Sequence, residues 1–501
     1  MCNYLCKERY KAGKRSFNLD VPERTACMEA LFAGQPFDDH GQPESVTNIL
    51  ARYHDIEEQF PKELTGEALP YFADWLIENV HLVKITAYSD EDAYTIFETM
   101  NDRGLSLTAT DMLKGYLLAN ISDSATRTRA SNVWRDRIAA LQKIGKEEDA
   151  DAIKGWLRSQ YAQSIRERKP GASPRDFDLL GTEFHRWVRD NQNTLNLCKS
   201  SDFANFIERD FSFYSRQYIR IRAAADKLTP GLEAIHYNAQ NNFTLQYPVL
   251  LAPLRPDDSD PDILRKLRVT AAFLDILITR RIWNFHAIDY STLQYAMFLV
   301  MKDIRGRSPS EVANLLTQRL AAEPESFSLS AGFSLHGTNG RQIHRLLARL
   351  TDYVETQSGQ PSRYAEYVLR KGKKGCEIEH ILANHPERYT DEFKNPYEFR
   401  DHRNLIGGLL LLPKSFNASY GDLPYAEKLE HYLKQNLLAQ SLHPKAYDRH
   451  PGFQQFIKST GLPFRPHPSF KKPDMEARCA LYIKLAERIW DPKQLLTLAS
   501  A

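Results

Sequence analysis

The residues most able to do chemistry lie in the last third of the chain, where Glu379 and His380 are followed by Asn417. Phosphodiester hydrolysis needs a base that takes a proton from water and a cation that neutralises the phosphate oxygens. A histidine at a strand end has a pKa near neutrality and can serve as that base. A carboxylate and an amide oxygen form a site that suits Mg²⁺ or Mn²⁺ better than zinc. Alone, a Glu-His dipeptide is more often just a polar pair at a strand end, so its surroundings must decide.

The elements around these residues follow a strand, strand, helix order. Residues 376–382 and 405–412 read as strands, the second with a glycine pair at a turn or bulge. Residues 424–438 read as a helix, with proline near its start and apolar residues on one face. This order is that of a ββα unit.

Charge is distributed unevenly along the chain. Residues 361–501 contain 22 Lys and Arg against 16 Asp and Glu, whereas the remainder contains 44 against 48. The C-terminal part is therefore where a polyanion is expected to bind. A basic run just before the first strand is a candidate contact to the DNA backbone, the alternative being a solvated linker. It consists of Arg370, Lys371, Lys373 and Lys374.

Bulk properties exclude several classes of protein. The 501 residues, 42% hydrophobic and 26% charged, are ordinary for a globular chain of several domains. No apolar run approaches the roughly 20 residues of a membrane span, and no signal peptide is visible. The six cysteines are scattered, unlike a disulfide framework or a zinc site. The sequence also lacks a Walker A, a GxSxG and an HExxH pattern. We expect a cytoplasmic protein without membrane contact.

The front of the chain reads as mixed α and β. In residues 81–88 apolar and polar side chains alternate, as in a half-buried strand, and a helix follows with apolar residues on one face. A polar turn at residues 101–104 ends this helix, and Thr108 with Asp111 caps the next one. In this turn Asn101, Arg103 and Gly104 could meet a phosphate. A solvated helix–helix turn is the alternative.

The middle of the chain reads as helical, most clearly at residues 265–285 and 342–356. Stretches rich in turn-forming residues at 255–261 and 357–362 are plausible linkers. The predicted division is a first domain at 1–125, a helical connector at 126–360 and a last domain at 361–501.

The C-terminal segment resembles the HNH nuclease domain of the GmrSD-type modification-dependent restriction endonucleases. That pattern is EHI, then GNLxLL, then an Asn nine residues after the middle Asn, then Phe/Tyr-x-x-Lys. Glu379, His380 and Ile381 match the first block, Asn417 matches the last Asn, and Tyr425 to Lys428 match the end. The resemblance implies a ββα-metal fold with His380 as general base and with Glu379 and Asn417 as metal ligands. It makes Lys428 either a phosphate contact or a structural support.

The chain departs from this pattern at three positions. Gly408 replaces the middle Asn, which normally holds the loop carrying the histidine, and Asn404 is close enough in sequence to substitute for it. Ala383 replaces a proline, and Gly421 supplies no second ligand one turn after Asn417.

The front of the chain is similar to the same family. Residues 97–114 are similar to its FxxLNxRGxxLxxxDLxK signature, which implies a ParB-like, nucleotide-binding domain. The family's upstream DGQQR motif does not occur, so the first domain is expected to be partial. A truncated gene and a natural short form both remain open. Nucleotide binding is expected only if the missing segment is supplied.

The resulting expectation is an α-rich α+β protein with three parts: a partial ParB-like domain, a helical middle region and a ββα-metal (HNH) nuclease domain. Its function would be metal-dependent cleavage of foreign or modified DNA, such as phage DNA. The alternatives are a nucleic-acid or nucleotide sensor that does not cut, and a fragment that needs a partner chain to supply the N-terminal segment. Homo-oligomerisation also remains open.

Overall fold

The computed structural model describes residues 22–80, 108–330, 332–370, 372 and 375–501. The predicted strand at 81–88, the helix behind it and the turn with Asn101, Arg103 and Gly104 lie outside these residues. The chain forms two compact units, Met1–Tyr88 and Ser89–Ala501. We call them the N-terminal and C-terminal units and describe each by itself.

The described part of the N-terminal unit is helical. Its helices are α1 (Pro22–Phe32), α2 (Glu44–Gln59) and α3 (Leu69–Asn79), with short 3₁₀ turns at Lys62–Leu64 and Gly66–Ala68. A small core joins Cys27 of α1 to Val46 and Leu50 of α2.

The C-terminal unit begins, in its described part, with α4 (Ala109–Ala119). Thr108 caps this helix through a reciprocal pair of hydrogen bonds with Asp111, as the sequence predicted. Its apolar residues are buried, including Met112 and Leu113. The capping signal therefore located this helix correctly.

Helices continue through the middle of the chain. Their bounds are α5 (Ser124–Gln142), α6 (Glu148–Tyr161), α7 (Asp176–Thr182), α8 (Phe184–Asp190), α9 (Ser200–Asn205), a π-helical turn (Phe206–Phe211), α10 (Ser212–Asp226), α11 (Glu233–Gln240), α12 (Gln246–Leu251), α13 (Asp260–Trp283), α14 (Tyr290–Ile304) and α15 (Pro309–Ala322).

Helix α13 is the central element of this region. Ser259 caps its start and Pro261 lies in its first turn, so the helix begins where the proline-rich stretch ends. Apolar residues cover most of its surface, as expected of a helix packed on several sides. The prediction of a helix at 265–285 is confirmed.

The remaining elements surround the candidate site. Their bounds are α16 (Gly340–Gln357), α17 (Tyr364–Tyr367), β1 (Cys376–His380), a 3₁₀ turn (Pro386–Arg388), α18 (Pro396–Arg403), a 3₁₀ turn (Ile406–Gly408), β2 (Leu409–Pro413), α19 (Lys414–Tyr420), α20 (Tyr425–Tyr432), α21 (Leu437–Gln440), α22 (Ala446–Arg449), α23 (Pro451–Thr460), α24 (Lys472–Ile489) and α25 (Gln494–Ser500).

The predicted helix at 342–356 is confirmed as α16, and the two predicted strands form one antiparallel pair. The second strand starts later than predicted because Ile406–Gly408 forms a 3₁₀ turn. The single helix predicted at 424–438 was wrong. It ends at Tyr432, and Asn436 caps a separate helix by accepting from the N–H of Ala439. Helix α19 occupies residues for which the sequence analysis predicted no helix.

Together these elements give a helix-rich protein with few strands, which confirms an α-rich α+β class. One continuous apolar core runs from Leu113 in α4 to Ala499 in α25. The boundaries 125 and 360 stay predictions. The four cysteines in the described ranges are free. None of the helices in those ranges is long and apolar enough to cross a membrane.

Candidate active site

Strand β1 carries Glu379 and His380 at its C-terminal end. It pairs with β2 so that Glu379 lies opposite Leu410 and His380 opposite Leu409. The N–H of Ile381 also donates to the carbonyl of Gly408 at 3.0 Å, which continues the pairing past the strand end. The leucines of β2 are buried, so the pair is fixed to the core and presents the two polar residues at its edge.

Two helices hold the strand pair in place. His344 of α16 bonds the carbonyl of Cys376 at 2.9 Å, at the start of β1. Tyr482 of α24 donates to the carbonyl of Leu409 at 2.9 Å, at the start of β2. Both strands are therefore anchored by side chains that lie far away in the sequence.

The carboxylate of Glu379 is buried and faces α20. Its Oε1 accepts from Lys428 Nζ at 2.6 Å and from the Tyr432 hydroxyl at 3.2 Å. The two donors stand one helical turn apart on the same face of α20. Burial raises the pKa of Glu379 and lowers the pKa of Lys428, because each charged form loses its hydration, and the contact between them opposes both shifts.

Lys428 also donates to the backbone carbonyl of His380 at 2.9 Å, and none of its side chain is exposed. Of the two roles open for it, this geometry favours structural support over direct contact with DNA. Lys428 joins the carboxylate of Glu379 to the backbone that carries the histidine.

His380 is half-buried, and its Nε2 lies 2.9 Å from Oδ1 of Asn404. An amide oxygen accepts, so Nε2 carries the proton and Nδ1 keeps its lone pair. Burial, with further effects of the Arg403 and Lys428 cations, lowers the pKa of His380 to about 4, although the bond to Asn404 opposes this. The imidazole is therefore neutral near pH 7, the state in which it can accept a proton.

Asn417 lies on α19 against the same strand. Its Nδ2 donates to the carbonyl of Ile378 at 3.3 Å, while its Oδ1 is buried and has no hydrogen-bond partner in the described part of the chain. A buried acceptor without a partner is costly, so such an atom in a native structure usually has a ligand or an ordered water.

Position 408 is tightly packed. A Cβ on Gly408 would lie 3.0 Å from the carbonyl oxygen of Arg403 and 3.4 Å from Cε of Met475. A Cβ on Gly407 would collide with the backbone of α24 at Cys479. The glycine pair thus lets α24 approach the 3₁₀ turn. Asn404, the suggested substitute for the missing Asn, reaches the histidine ring itself.

Family models match both ends of the chain. The model for the GmrSD restriction endonuclease N-terminal domain matches residues 7–118, and the model for the C-terminal domain of these endonucleases matches residues 325–450. Both models describe GmrSD restriction endonucleases, which confirms the resemblance to this family that the sequence indicated. A search of curated proteins found no match.

The C-terminal GmrSD match contains the whole candidate site, from β1 to α20. The two matched domains support a DNA endonuclease that acts in restriction and is therefore a hydrolase with DNA as its substrate. The N-terminal GmrSD match includes Asn101, Arg103 and Gly104, whose nucleotide role stays a prediction. For the family as a whole, the matches imply dependence on a divalent metal.

The residues around β1 fit such a metal. No group of three or more His, Cys, Asp and Glu side chains within the described residues could hold an ion. The available donors are instead one amide oxygen, the unpartnered Oδ1 of Asn417, and the carboxylate of Glu379. Lys428 and Tyr432 both use Oε1 of Glu379, which leaves Oε2 for a ligand. Hard oxygen donors of this kind suit Mg²⁺ or Mn²⁺.

The predicted basic run is described only at Arg370, which is exposed; Lys371, Lys373 and Lys374 lie outside the described residues. Two arginines that the sequence analysis missed stand nearby, Arg341 and Arg345, one turn apart on α16. Burial, with further effects of the Arg341 and Arg370 cations, lowers the pKa of Arg345. None of the three forms a salt bridge with the described residues. The four-residue spacing of these arginines on α16 was visible in the sequence, but only the fold shows that this helix lies beside β1.

Proposed function

We propose that this GmrSD-type chain is a metal-dependent DNA endonuclease of the HNH type. The arrangement around β1 carries the proposal. His380 presents an unprotonated Nδ1 while Asn404 holds its other ring nitrogen. Beside the same strand, Asn417 keeps a buried acceptor without a partner among the described residues. A base and an oxygen donor for a cation are the two components that phosphodiester hydrolysis needs.

In the proposed reaction, Nδ1 of His380 takes a proton from a water molecule while the water oxygen bonds to phosphorus. The bond between phosphorus and the 3′ oxygen breaks, and that oxygen takes a proton from solvent. Glu379 and Asn417 would hold the Mg²⁺ or Mn²⁺ ion, which supplies positive charge for the phosphate oxygens.

Other residues act by positioning these groups. Asn404 fixes the tautomer of His380, because an amide oxygen at 2.9 Å requires a proton on Nε2. Lys428 and Tyr432 fix one oxygen of Glu379 and leave the other for a ligand. Lys428 is therefore proposed as a positioning residue rather than one that touches the substrate.

We propose that DNA reaches this site along a basic surface formed by Arg341, Arg345 and Arg370. Lys371, Lys373 and Lys374, which follow Arg370 in the sequence, are proposed as further DNA contacts. The three arginines lack carboxylate partners among the described residues. Phosphate groups of DNA would supply the missing anionic partners, and contacts of this kind give affinity without sequence preference. In a restriction system, the substrate would be foreign or modified DNA, such as that of phages. The N-terminal GmrSD match makes a ParB-like domain the candidate for nucleotide binding.

A second candidate is a DNA-sensing protein that does not cut. Two observations favour it: Lys428 neutralises the carboxylate of Glu379, and Gly408 replaces the middle Asn of the motif. Cleavage with a divalent metal distinguishes the two candidates.

The test is nicking of supercoiled plasmid and of phage DNA with modified bases, with Mg²⁺, Mn²⁺, Zn²⁺ or EDTA. We expect cleavage with Mg²⁺ or Mn²⁺, and a loss of about 10²–10⁴-fold in His380→Ala, because a positioned base contributes that much. His450→Ala, at a histidine that lies within the same match and directly precedes α23, is the matched control. Cleavage in EDTA, or by His380→Ala at the wild-type rate, would refute the proposal.

Metal binding can be measured without cleavage. Calorimetric titration with Mn²⁺ should show one site that is weakened in Asn417→Ala and in Glu379→Gln. An unchanged titration in both variants would place the metal elsewhere.

A further inference from the structure

Arg403, the last residue of α18, is held directly beside the candidate base. Its Nε donates to the carbonyl of Leu382 at 2.8 Å, two residues after His380. The next residue, Asn404, bonds the histidine ring. The backbone of Arg403 packs against Gly408, as described above. Both flanks of this arginine are therefore fixed to the elements that carry the site.

Within the described residues, no carboxylate lies within salt-bridge distance of the Arg403 guanidinium. This guanidinium is half-buried, and its Nη1 and Nη2 make no hydrogen bond or salt bridge with any residue in the described ranges. Burial lowers the pKa of Arg403 and the charge of the Glu379 carboxylate opposes this shift, but that carboxylate is already paired with Lys428 at 2.6 Å. The cation of Arg403 is thus partly desolvated, and none of the described carboxylates forms a salt bridge with it, a costly state in a folded protein.

Two other partly buried arginines of the C-terminal unit, Arg349 and Arg305, use their terminal nitrogens in hydrogen bonds. Arg349 bonds both oxygens of Asp275, at 3.2 and 3.0 Å. Arg305 has no carboxylate, but its Nε and Nη2 donate to backbone carbonyls, including those of Ser159 and Ala162. Arg403 bonds only through Nε, as Arg268 does with the carbonyl of Gly231, but Arg403 alone of these two lies beside the candidate site. The two nitrogens best suited to bind an anion in a fork remain free.

Arg403 lies beside the candidate base, since its Nε bonds the carbonyl two residues beyond His380 and the adjacent Asn404 bonds the histidine ring. After burial, the charge of Arg403 is the next cause that lowers the pKa of His380. Lys428 is fully buried and occupied. Arg403 is therefore the cation beside His380 that still has donors to offer.

We propose that Arg403 binds the scissile phosphate of DNA, with Nη1 and Nη2 donating to its non-bridging oxygens. This inference rests on the proposed nuclease function. Nε keeps its bond to Leu382 and aims the fork at the phosphate. Negative charge grows on those oxygens as water attacks, so the arginine stabilises the transition state more than the ground state.

The test compares Arg403→Ala, Arg403→Gln and Arg403→Lys with Arg400→Ala, a control on the same helix whose side chain is 63% exposed. We expect Arg403→Ala to lower kcat/KM for nicking by about 10²-fold. Arg403→Lys should retain part of the activity, since lysine supplies charge without the fork. Methylguanidinium should restore cleavage to Arg403→Ala, while KCl at equal ionic strength should not.

A second measurement does not need cleavage. In the His380→Ala background, Arg403→Gln should reduce the slope of log K against log salt on duplex DNA by about 0.9, the loss of one phosphate contact. Glutamine can still donate to Leu382, and urea unfolding reports whether the fold is kept.

The outcomes separate the two hypotheses. Normal cleavage by folded Arg403→Ala, with cleavage lost in His380→Ala, would overturn the role of Arg403 and leave the nuclease proposal standing. Loss of cleavage without rescue and without a change in the salt slope would assign Arg403 to structure and also overturn its role. Wild-type cleavage by His380→Ala would instead refute the proposed function.

Discussion

Replacing Lys428 with methionine tests whether this residue supports the site or touches DNA. The substitution keeps the length of the side chain and removes the ammonium that donates to Glu379 at 2.6 Å and to the His380 carbonyl at 2.9 Å. The carboxylate of Glu379, whose side chain is 4% exposed, would keep only the Tyr432 hydroxyl.

Removing one partner of a buried ion pair typically costs about 3–5 kcal/mol, because the other charge is left without compensation. The side chain of Lys428 is not exposed at all, so solvent cannot replace the lost partner. We therefore expect Lys428→Met to lower the free energy of unfolding by about this amount. Lys434→Met, at an exposed lysine just after α20, should stay within about 0.5 kcal/mol of wild type.

The assay is urea unfolding followed by tryptophan fluorescence. It compares the single variants Lys428→Met and Glu379→Gln with the double variant Glu379→Gln/Lys428→Met, and Lys434→Met is the control. The double variant should recover most of the lost stability, because a neutral amide no longer needs a cation and can still accept from Tyr432. Strictly additive losses would refute a coupled pair. Unchanged stability together with weakened DNA binding would show that Lys428 contacts phosphate instead.

Three further predictions concern the surroundings of the site. Replacing Arg341, Arg345 and Arg370 with glutamine should flatten the slope of log K against log salt by up to about 3 units, a loss independent of DNA sequence; an unchanged slope would assign them to solvent. Burial lowers the pKa of His344, so the unfolded chain binds more protons than the folded chain below about pH 6.5. The free energy of unfolding should therefore decrease as the pH is lowered through this range. His344→Gln should remove this component from urea-unfolding curves, and an unchanged pH dependence would contradict it. Gly408→Asn should lower stability by about 1–3 kcal/mol through overpacking, without raising the nicking rate; faster nicking would show that the missing Asn limits the site.

The sequence predicted the strand pair well because its signals are local. Four consecutive leucines at 409–412 and the apolar positions of 376–382 indicate buried strands, and both strands are present. Helix α4 and helix α16 were predicted for the same reason, by a capping box and by apolar spacing. Helix α18 was not predicted, although Asn395 caps its start and Pro396 opens it.

The contacts inside the site could not be predicted from local patterns. Lys428 was identified through the family motif, but its pairing with Glu379 joins two elements 49 residues apart. The anchors from His344 to β1 and from Tyr482 to β2 span 32 and 73 residues. Such contacts depend on how α16, α20 and α24 pack, and side-chain spacing along the chain carries no signal for that.

The glycine at position 408 explains why the histidine is held from a different place. Gly407 and Gly408 leave room for α24, and any side chain at 408 would press on the carbonyl of Arg403 or on Met475. An asparagine there would compete with this packing. The end of α18 instead supplies Asn404 to the ring of His380 and Arg403 to the backbone just beyond it. We therefore expect the motif with Gly408 to remain compatible with cleavage, because Asn404, four residues upstream, holds the histidine instead. Asn404→Ala should lower the nicking rate and leave Mn²⁺ binding unchanged.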